Sequence, residues 1–365
     1  RYQKRKFQDS ETVCTCALRV AAGRKFYNLN MSYKQRGKID SNGTHYVISG
    51  PESSSSLVVF VHGLGVYNFV WEHMEELFHL KAGYKTLSYD LVGRGFSHAS
   101  EDDDYSLDVY TAQLHGVMED HVSASQQYEN VYMIAHSMGG IILSEYITKY
   151  YPSSPYQNKI KAISFVTPAG CMKLLCGSFK TLQYMLSSWT CCSCVTSCLE
   201  SALTKPEGIE KGWMADFVDK ECAAAKEAIS HLHGLLYHSP DNGKKHFHAT
   251  IQSLFKMPFT NHHDCISKLS TDPVFDPLKV QTIFAGKDVT IPCDSNQLAW
   301  SQLLKNKQNN MYYQDDVLDM AGHGCITEYA PQVFGMIYDF IQTQDKTKND
   351  REGVREQDVN VKLPN

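Results

Sequence analysis

Tyr132-Met133-Ile134-Ala135-His136-Ser137-Met138-Gly139-Gly140-Ile141-Ile142 decides how this chain is read. Apolar β-formers lead into a serine, and two glycines and a helical pattern follow it. Such a run ends a strand, turns sharply and starts a helix with one hydroxyl held at the helix N-terminus, the geometry of a nucleophile elbow. The glycines let the turn form without Cβ clashes. The helix N–H groups behind it favour a developing negative charge. The usual pattern is Gly-x-Ser-x-Gly; here Ala135 stands at the first glycine, small enough for the elbow to form.

One serine is weak evidence, so its partners must follow in order. Ile283-Phe284-Ala285-Gly286-Lys287-Asp288 places an acid just after a short apolar strand. Leu318-Asp319-Met320-Ala321-Gly322-His323-Gly324 places a histidine in a glycine-flanked loop after the next one. Serine is a poor nucleophile unless a base takes its proton and a third group orients that base. Ser137, His323 and Asp288 are the candidates for those roles. Asp315, Asp316 and Asp319 are rival acids, but they lie on or just after the strand leading to the histidine. Upstream, Leu57-Val58-Val59-Phe60-Val61 reads as a buried strand ending in His62-Gly63-Leu64-Gly65. That loop is expected to supply an oxyanion N–H from Leu64, alongside the N–H of Met138. Activity is expected to rise as His323 loses its proton near pH ~6.5 to 7.

These residues, with Asp90-Leu91-Val92-Gly93-Arg94-Gly95-Phe96-Ser97 as a turn after a strand, resemble the α/β-hydrolase superfamily from about Thr44 to Gln342. The elbow is similar to that of monoacylglycerol-lipase-like serine esterases. The resemblance implies a mostly parallel central sheet with helices on both faces, and acyl transfer to water without a cofactor or a metal. Serine rather than aspartate at the elbow disfavours the dehalogenase and epoxide hydrolase chemistries of this fold. Glu328, in His323-Gly-Cys-Ile-Thr-Glu328, resembles the acid of an acyltransferase motif only faintly.

The rest of the chain fits. A chain of 365 residues, 42% of them hydrophobic, can bury a large core. A formal net charge of −5 gives no basic excess for nucleic acid. No run of about 18 apolar residues is present to span a membrane. Strands and helices alternate up to Ile160–Val166, then a helical pattern replaces them before β-character resumes at Val280. The expected organisation is a polar arm over 1–25, core over 26–170, a helical cap insert over 171–272, core again over 273–344 and a disordered tail over 345–365. In the insert Met172, Leu175, Phe179, Leu182, Leu186 and Trp189 recur at helical spacing, and Met214 to Leu236 reads as a second long helix.

Phe179 and Leu182 are the expected substrate-binding residues, together with Trp71, read as a helix-face packing residue that also lines the pocket. Twelve cysteines are present, with Cys191, Cys192, Cys194 and Cys198 clustered. Their readings are inert thiols, lipidation or, with poorer spacing, zinc. Stripe and thiols together suit an apolar tunnel or a cap making peripheral membrane contact. His246 and His248 are expected at the surface, His62 as a loop-ordering residue, and His136 as a structural residue pointing away from the cleft. Asn30-Met31-Ser32 and Asn42-Gly43-Thr44 are short sequon matches. The chain opens on Arg1 rather than Met, and its basic start reads as a solvated tail, with the flank of a removed tag, signal or membrane anchor as the alternative; a cytoplasmic or membrane-associated place is favoured. The function expected is hydrolysis of a carboxylic ester, with a monoacylglycerol or lysophospholipid as substrate. A small-substrate esterase, a C–C hydrolase and a catalytically silent binding protein are the alternatives.

Overall fold

A computed structural model of the chain describes residues 36–123, 125–173, 214–308 and 313–342. Its frame is set by strands whose residues are buried on both faces. β3 (Ser56–Val61) and β5 (Asn130–His136) carry near-continuous apolar runs, the mark of central parallel strands with helices above and below. They pair in register, Val59 with Met133 and Val61 with Ala135. β1 (Lys38–Ile39), β2 (His45–Ser49) and β4 (Lys85–Tyr89) extend the sheet on one side. β6 (Ile160–Val166), β7 (Lys279–Ala285) and β8 (Tyr313–Leu318) extend it on the other. The order is β1-β2-β4-β3-β5-β6-β7-β8. The pairs β1–β2 and β2–β4 are antiparallel and the rest parallel.

Side chains alternate across each strand, so the sheet feeds two cores. Leu57, Val59, Val61, Met133 and Ala135 face α2 (Leu107–Met118), α3 (Met138–Tyr150), α6 (His263–Thr271) and α7 (Cys293–Leu303). Val58, Phe60 and Ile134 face Trp71, Met74 and Phe78 around α1 (Glu72–Leu77), together with Val333, Phe334 and Ile337 from the helix over 330–342. The parallel architecture with helices on both faces is the one expected.

Between β6 and β7, the first expected helix, from Met172 to Trp189, lies almost wholly outside the described residues, and the second, from Met214 to Leu236, differs in detail from expectation. A single turn at Met214–Asp216 is followed by irregular chain, and α4 starts only at Ala223 (Ala223–His238). The Glu328 carboxylate accepts the N–H groups of Val218 and Asp219, and the Cys222 thiol caps α4 by accepting from Ala225 N–H. Those side-chain partners replace the helical ladder there. Pro240, at the first turn of α5 (Pro240–Lys256), divides α4 from α5. α6 lies against α3 in the core layer rather than over the sheet's carboxyl edge.

The polar arm, the tail, Phe179, Leu182, the Cys191–Cys198 cluster and Asn30 lie outside the described residues. Among those described, Cys171, Cys222, Cys265, Cys293 and Cys325 are free thiols. No described helix is long and apolar enough to cross a membrane.

Candidate active site

Ser137 stands between β5 and α3 with φ 56° and ψ −122°. A non-glycine residue there carries ~1–3 kcal/mol of backbone strain. The surroundings hold it: Ser137 N–H donates to Val166 O at 3.1 Å, and its carbonyl accepts from Gly140 N–H at 2.9 Å and Ala169 N–H at 3.1 Å. Gly139 is required by contact. A Cβ there would sit 2.4 Å from Val61 O and 2.7 Å from His62 O. Ala135 is wholly buried in β5, so its methyl group packs where the usual pattern has glycine.

Three side chains meet at the elbow. Ser137 Oγ lies 3.0 Å from His323 Nε2, and His323 Nδ1 lies 2.7 Å from Asp288 Oδ2. All three residues are buried. The other carboxylate oxygen of Asp288 accepts N–H bonds from Thr290 at 2.8 Å and Ile291 at 2.7 Å, which fixes the group's plane. Two of the rivals are engaged elsewhere, and the third, Asp319, is exposed. Asp315 accepts from Gln297 and Ser301, and Asp316 from Gln281 and Gln314. Glu328 holds the returning insert, as described above.

The loop after β3 runs against the serine. A Cβ on Gly63 would lie 2.9 Å from Ser137 Cβ and 3.3 Å from its Oγ, so this backbone approaches as only glycine permits. His62 orders the loop: its Nε2 accepts from Leu91 N–H at 3.0 Å, which leaves Nδ1–H to donate to Gly63 O at 2.9 Å. Burial pushes its pKa down to about 4, so the ring is neutral. Leu64 follows directly in this loop, and Met138 opens α3.

Three placements depart from expectation. Trp71 is fully buried and stacks on Phe60 at 4.7 Å, with only its edge toward His136; it belongs to the core, because the turn before α1 points it under the sheet. His136 does not face away from the triad. Its ring lies 4.8 Å from that of His323, and its Nε2–H donates to His323 O at 2.9 Å. Burial, helped by the His323 charge, drives its pKa well down, so it serves as a neutral prop. His246 is buried, not at the surface. Its Nε2 bonds Gly65 O at 2.8 Å and its Nδ1 accepts from Gly95 N–H at 3.3 Å, tying α5 to the loop after β3.

Asp216 was not legible in the sequence. It arrives from the insert, where no motif marks it. Its carbonyl accepts Gly324 N–H at 2.8 Å and its carboxylate accepts the Thr290 hydroxyl. Burial alone would lower the His323 pKa, but Asp288, by charge and hydrogen bond, and then Asp216 outweigh it and push the pKa up to about 9. That is well above the expected 6.5 to 7. Beside His323 a cavity of about 40 Å³ opens, walled by Val66, Phe69, Phe217, Ile229 and Leu232. α4 thus covers the histidine side of the site.

Known proteins share this frame. A bromoperoxidase from Bacillus anthracis matches with a TM-score of 0.57 at 17% identity, covering 82% of this chain and 95% of that one. The esterase EaEST from Exiguobacterium antarcticum matches at 0.60 and 15%, covering 84% and 98%. The 2-hydroxy-6-oxo-6-phenylhexa-2,4-dienoate hydrolase of Rhodococcus sp. strain RHA1 matches at 0.63 and 15%, also covering 84% and 98%. At such identities the likeness is one of fold. No curated protein sequence matches significantly. The alpha/beta hydrolase family matches residues 58–334, three quarters of the chain, so this protein belongs to the alpha/beta hydrolase family.

Proposed function

We propose that the protein is a serine hydrolase of carboxylic esters, with Ser137 as nucleophile, His323 as base and Asp288 as the group that orients it. The observation that carries this reading is the continuous chain of bonds Ser137 Oγ–His323 Nε2–His323 Nδ1–Asp288 Oδ2 on a strained elbow. Neutral His323 takes the serine proton at Nε2 while Oγ bonds the ester carbon. The oxyanion faces the N–H groups of Met138 and Leu64. Collapse breaks the bond to the alkoxy oxygen, and His323 Nε2–H protonates the leaving alcohol. Water then attacks the acyl-serine, giving its proton to His323, and the acid leaves as Ser137 regains its hydrogen. Asp288 stabilises the imidazolium at each stage, and the two N–H bonds to its outer oxygen keep it from turning away.

For the substrate we favour a lipid ester, such as a monoacylglycerol or lysophospholipid. The apolar walls beside His323 support it, as does the apolar stripe from Met172 to Trp189 in the sequence. A small-ester hydrolase is the second reading. It is favoured by the cavity volume, about 40 Å³, room for only about three waters at ~10–15 Å³ each. Hydrolysis rates across p-nitrophenyl and glyceryl esters of increasing chain length separate the two. Each methylene buried contributes about 0.8 kcal/mol, or about fourfold in kcat/KM. A climb of that order per methylene supports the lipid ester. A maximum at acetate or butyrate supports the small one. Failure to hydrolyse any ester would leave a C–C hydrolase or a silent binding protein on this fold.

A further inference from the structure

The loops that carry the acid and the base are joined at their starts. Gly286 N–H donates to Leu318 O at 3.0 Å, and Lys287 N–H donates to Ala321 O at 2.9 Å. Further along, each loop leans on a residue of the insert. Asp288 Oδ1 accepts the N–H groups of Thr290 and Ile291, so the plane of the carboxylate follows the turn over 288–291. That turn is held by the Thr290 hydroxyl, which donates to Asp216 Oδ1 at 2.5 Å. The backbone just after His323 is held by Gly324 N–H, which donates to Asp216 O at 2.8 Å. Asp216 therefore bonds to both loops at once, by side chain to one and by main chain to the other.

The approach of the insert is close. A Cβ on Gly322 would lie 2.7 Å from Asp216 O, and one on Gly324 would lie 3.2 Å from the same oxygen and 3.1 Å from the Phe217 ring. The two glycines that flank His323 thus leave room for the insert's backbone. The next residues continue the contact. Val218 and Asp219 donate their N–H groups to the two oxygens of Glu328, at 3.0 and 2.8 Å, five positions after His323. Burial, and to a lesser degree the Asp288 charge, raise the Asp216 pKa. A carboxylate is held here at a cost that an apolar side chain of similar size would not carry.

We propose that Asp216 is a positioning residue for the reaction: by tying the Thr290 turn to the Gly324 backbone it keeps Asp288 and His323 in line, so the insert completes the triad as well as covering it. The proposal rests on the reading of Ser137, His323 and Asp288 as the triad. Asp288 Oδ2 must stay on His323 Nδ1 while the ring gains and loses the serine proton at Nε2. A turn free to rotate carries Oδ1 with it and swings Oδ2 off that line. The ring then loses its orientation toward Ser137 Oγ, where small misplacements are expensive in rate.

The test uses the full chain and the variant Thr290→Val, which removes the bridging hydroxyl but keeps the Thr290 N–H on Asp288 and the charge on Asp216. On a short p-nitrophenyl ester kcat should fall ~10–100-fold with KM little changed, and Thr290→Ser should restore it. Asp216→Asn keeps an acceptor for the hydroxyl, so its plateau kcat at high pH should exceed that of Asp216→Ala. A second readout needs no turnover: the downfield proton resonance of His323 Nδ1–H at neutral pH, where the ring is charged, assigned by its loss in His323→Gln. Thr290→Val should shift or broaden it, and Thr290→Ser should return it. Wild-type kcat and an unmoved resonance in a folded Thr290→Val, whatever its Tm, would overturn the proposal. So would a Thr290→Ser protein as impaired as Thr290→Val. Should Thr290→Val fail to fold, equal kcat and resonance in Asp216→Asn and Asp216→Ala would overturn it instead. A wild-type chain that hydrolyses no ester refutes the triad reading, and the resonance then decides the tie by itself.

Discussion

Gly139→Ala is the sharpest test of how the elbow is built. The added Cβ would fall 2.4 Å from Val61 O and 2.7 Å from His62 O. Carbon meets a carbonyl oxygen comfortably at ~3.3 Å, so the overlap is ~0.9 Å. Both oxygens are backbone atoms, at the end of β3 and just beyond it. β3 is hydrogen-bonded to β4 on one side and β5 on the other, so the strand cannot yield. The first turn of α3 must move instead, and it carries Ser137 Oγ away from His323 Nε2 and Met138 N–H with it. Overpacking of this kind costs ~1–3 kcal/mol of stability. A displacement near 1 Å at the reacting atoms costs ~100-fold in rate, equivalent to about 2.7 kcal/mol. The assay is kcat/KM on a short p-nitrophenyl ester together with thermal unfolding. Gly335→Ala is the control: nothing lies within 4 Å of its Cβ, so it should leave the rate alone and stabilise the helix over 330–342 by ~0.5–1 kcal/mol. A Gly139→Ala protein with wild-type rate and Tm would refute the claim that the close approach of α3 to β3 sets the site.

Asp288→Asn should lower kcat on the order of 10⁴-fold without unfolding the protein, since it favours the wrong His323 tautomer; a small effect in steady-state kinetics would remove Asp288 from the mechanism. With the His323 pKa pushed up to about 9, kcat/KM should climb as pH rises through about 9 rather than level off near 7, because only the neutral ring accepts the serine proton. The stability term has the opposite sign. The charged ring favours the folded state fully below about 6.5, and that gain is lost as pH rises through about 9, so Tm should fall across that window. Asp216→Asn should move the activity limb to lower pH, since one of the two carboxylates that raise the pKa is gone; an unmoved limb would exclude Asp216 as a tuning group.

What could be read from the sequence divides along physical lines. Ser137, Asp288 and His323 could be picked out because each sits at a strand end marked by glycines, and turn chemistry is local. The sheet was legible because β3 and β5 carry near-continuous apolar runs, Leu57–Val61 and Val131–Ala135, as doubly covered strands do. Trp71 misled because an aromatic near a loop looks the same whether it faces a pocket or the core, and its direction depends on the turn before α1. His246 and Asp216 were illegible for the converse reason. Their partners, Gly65, Gly95 and Thr290, are distant in sequence, so only the packed chain brings them together. The late start of α4 had the same origin, since the group that displaces the helical ladder is Glu328.

The central claim is that Ser137 is the nucleophile, and one measurement meets it directly: intact-mass and peptide analysis after exposure to a fluorophosphonate. One phosphonyl group per chain should appear, on the peptide bearing Ser137. Ser137→Ala should take up none, and Asp288→Asn should react far more slowly. Label on another residue, or an unreactive wild-type chain that is folded, would contradict the assignment of Ser137, His323 and Asp288 as a working triad.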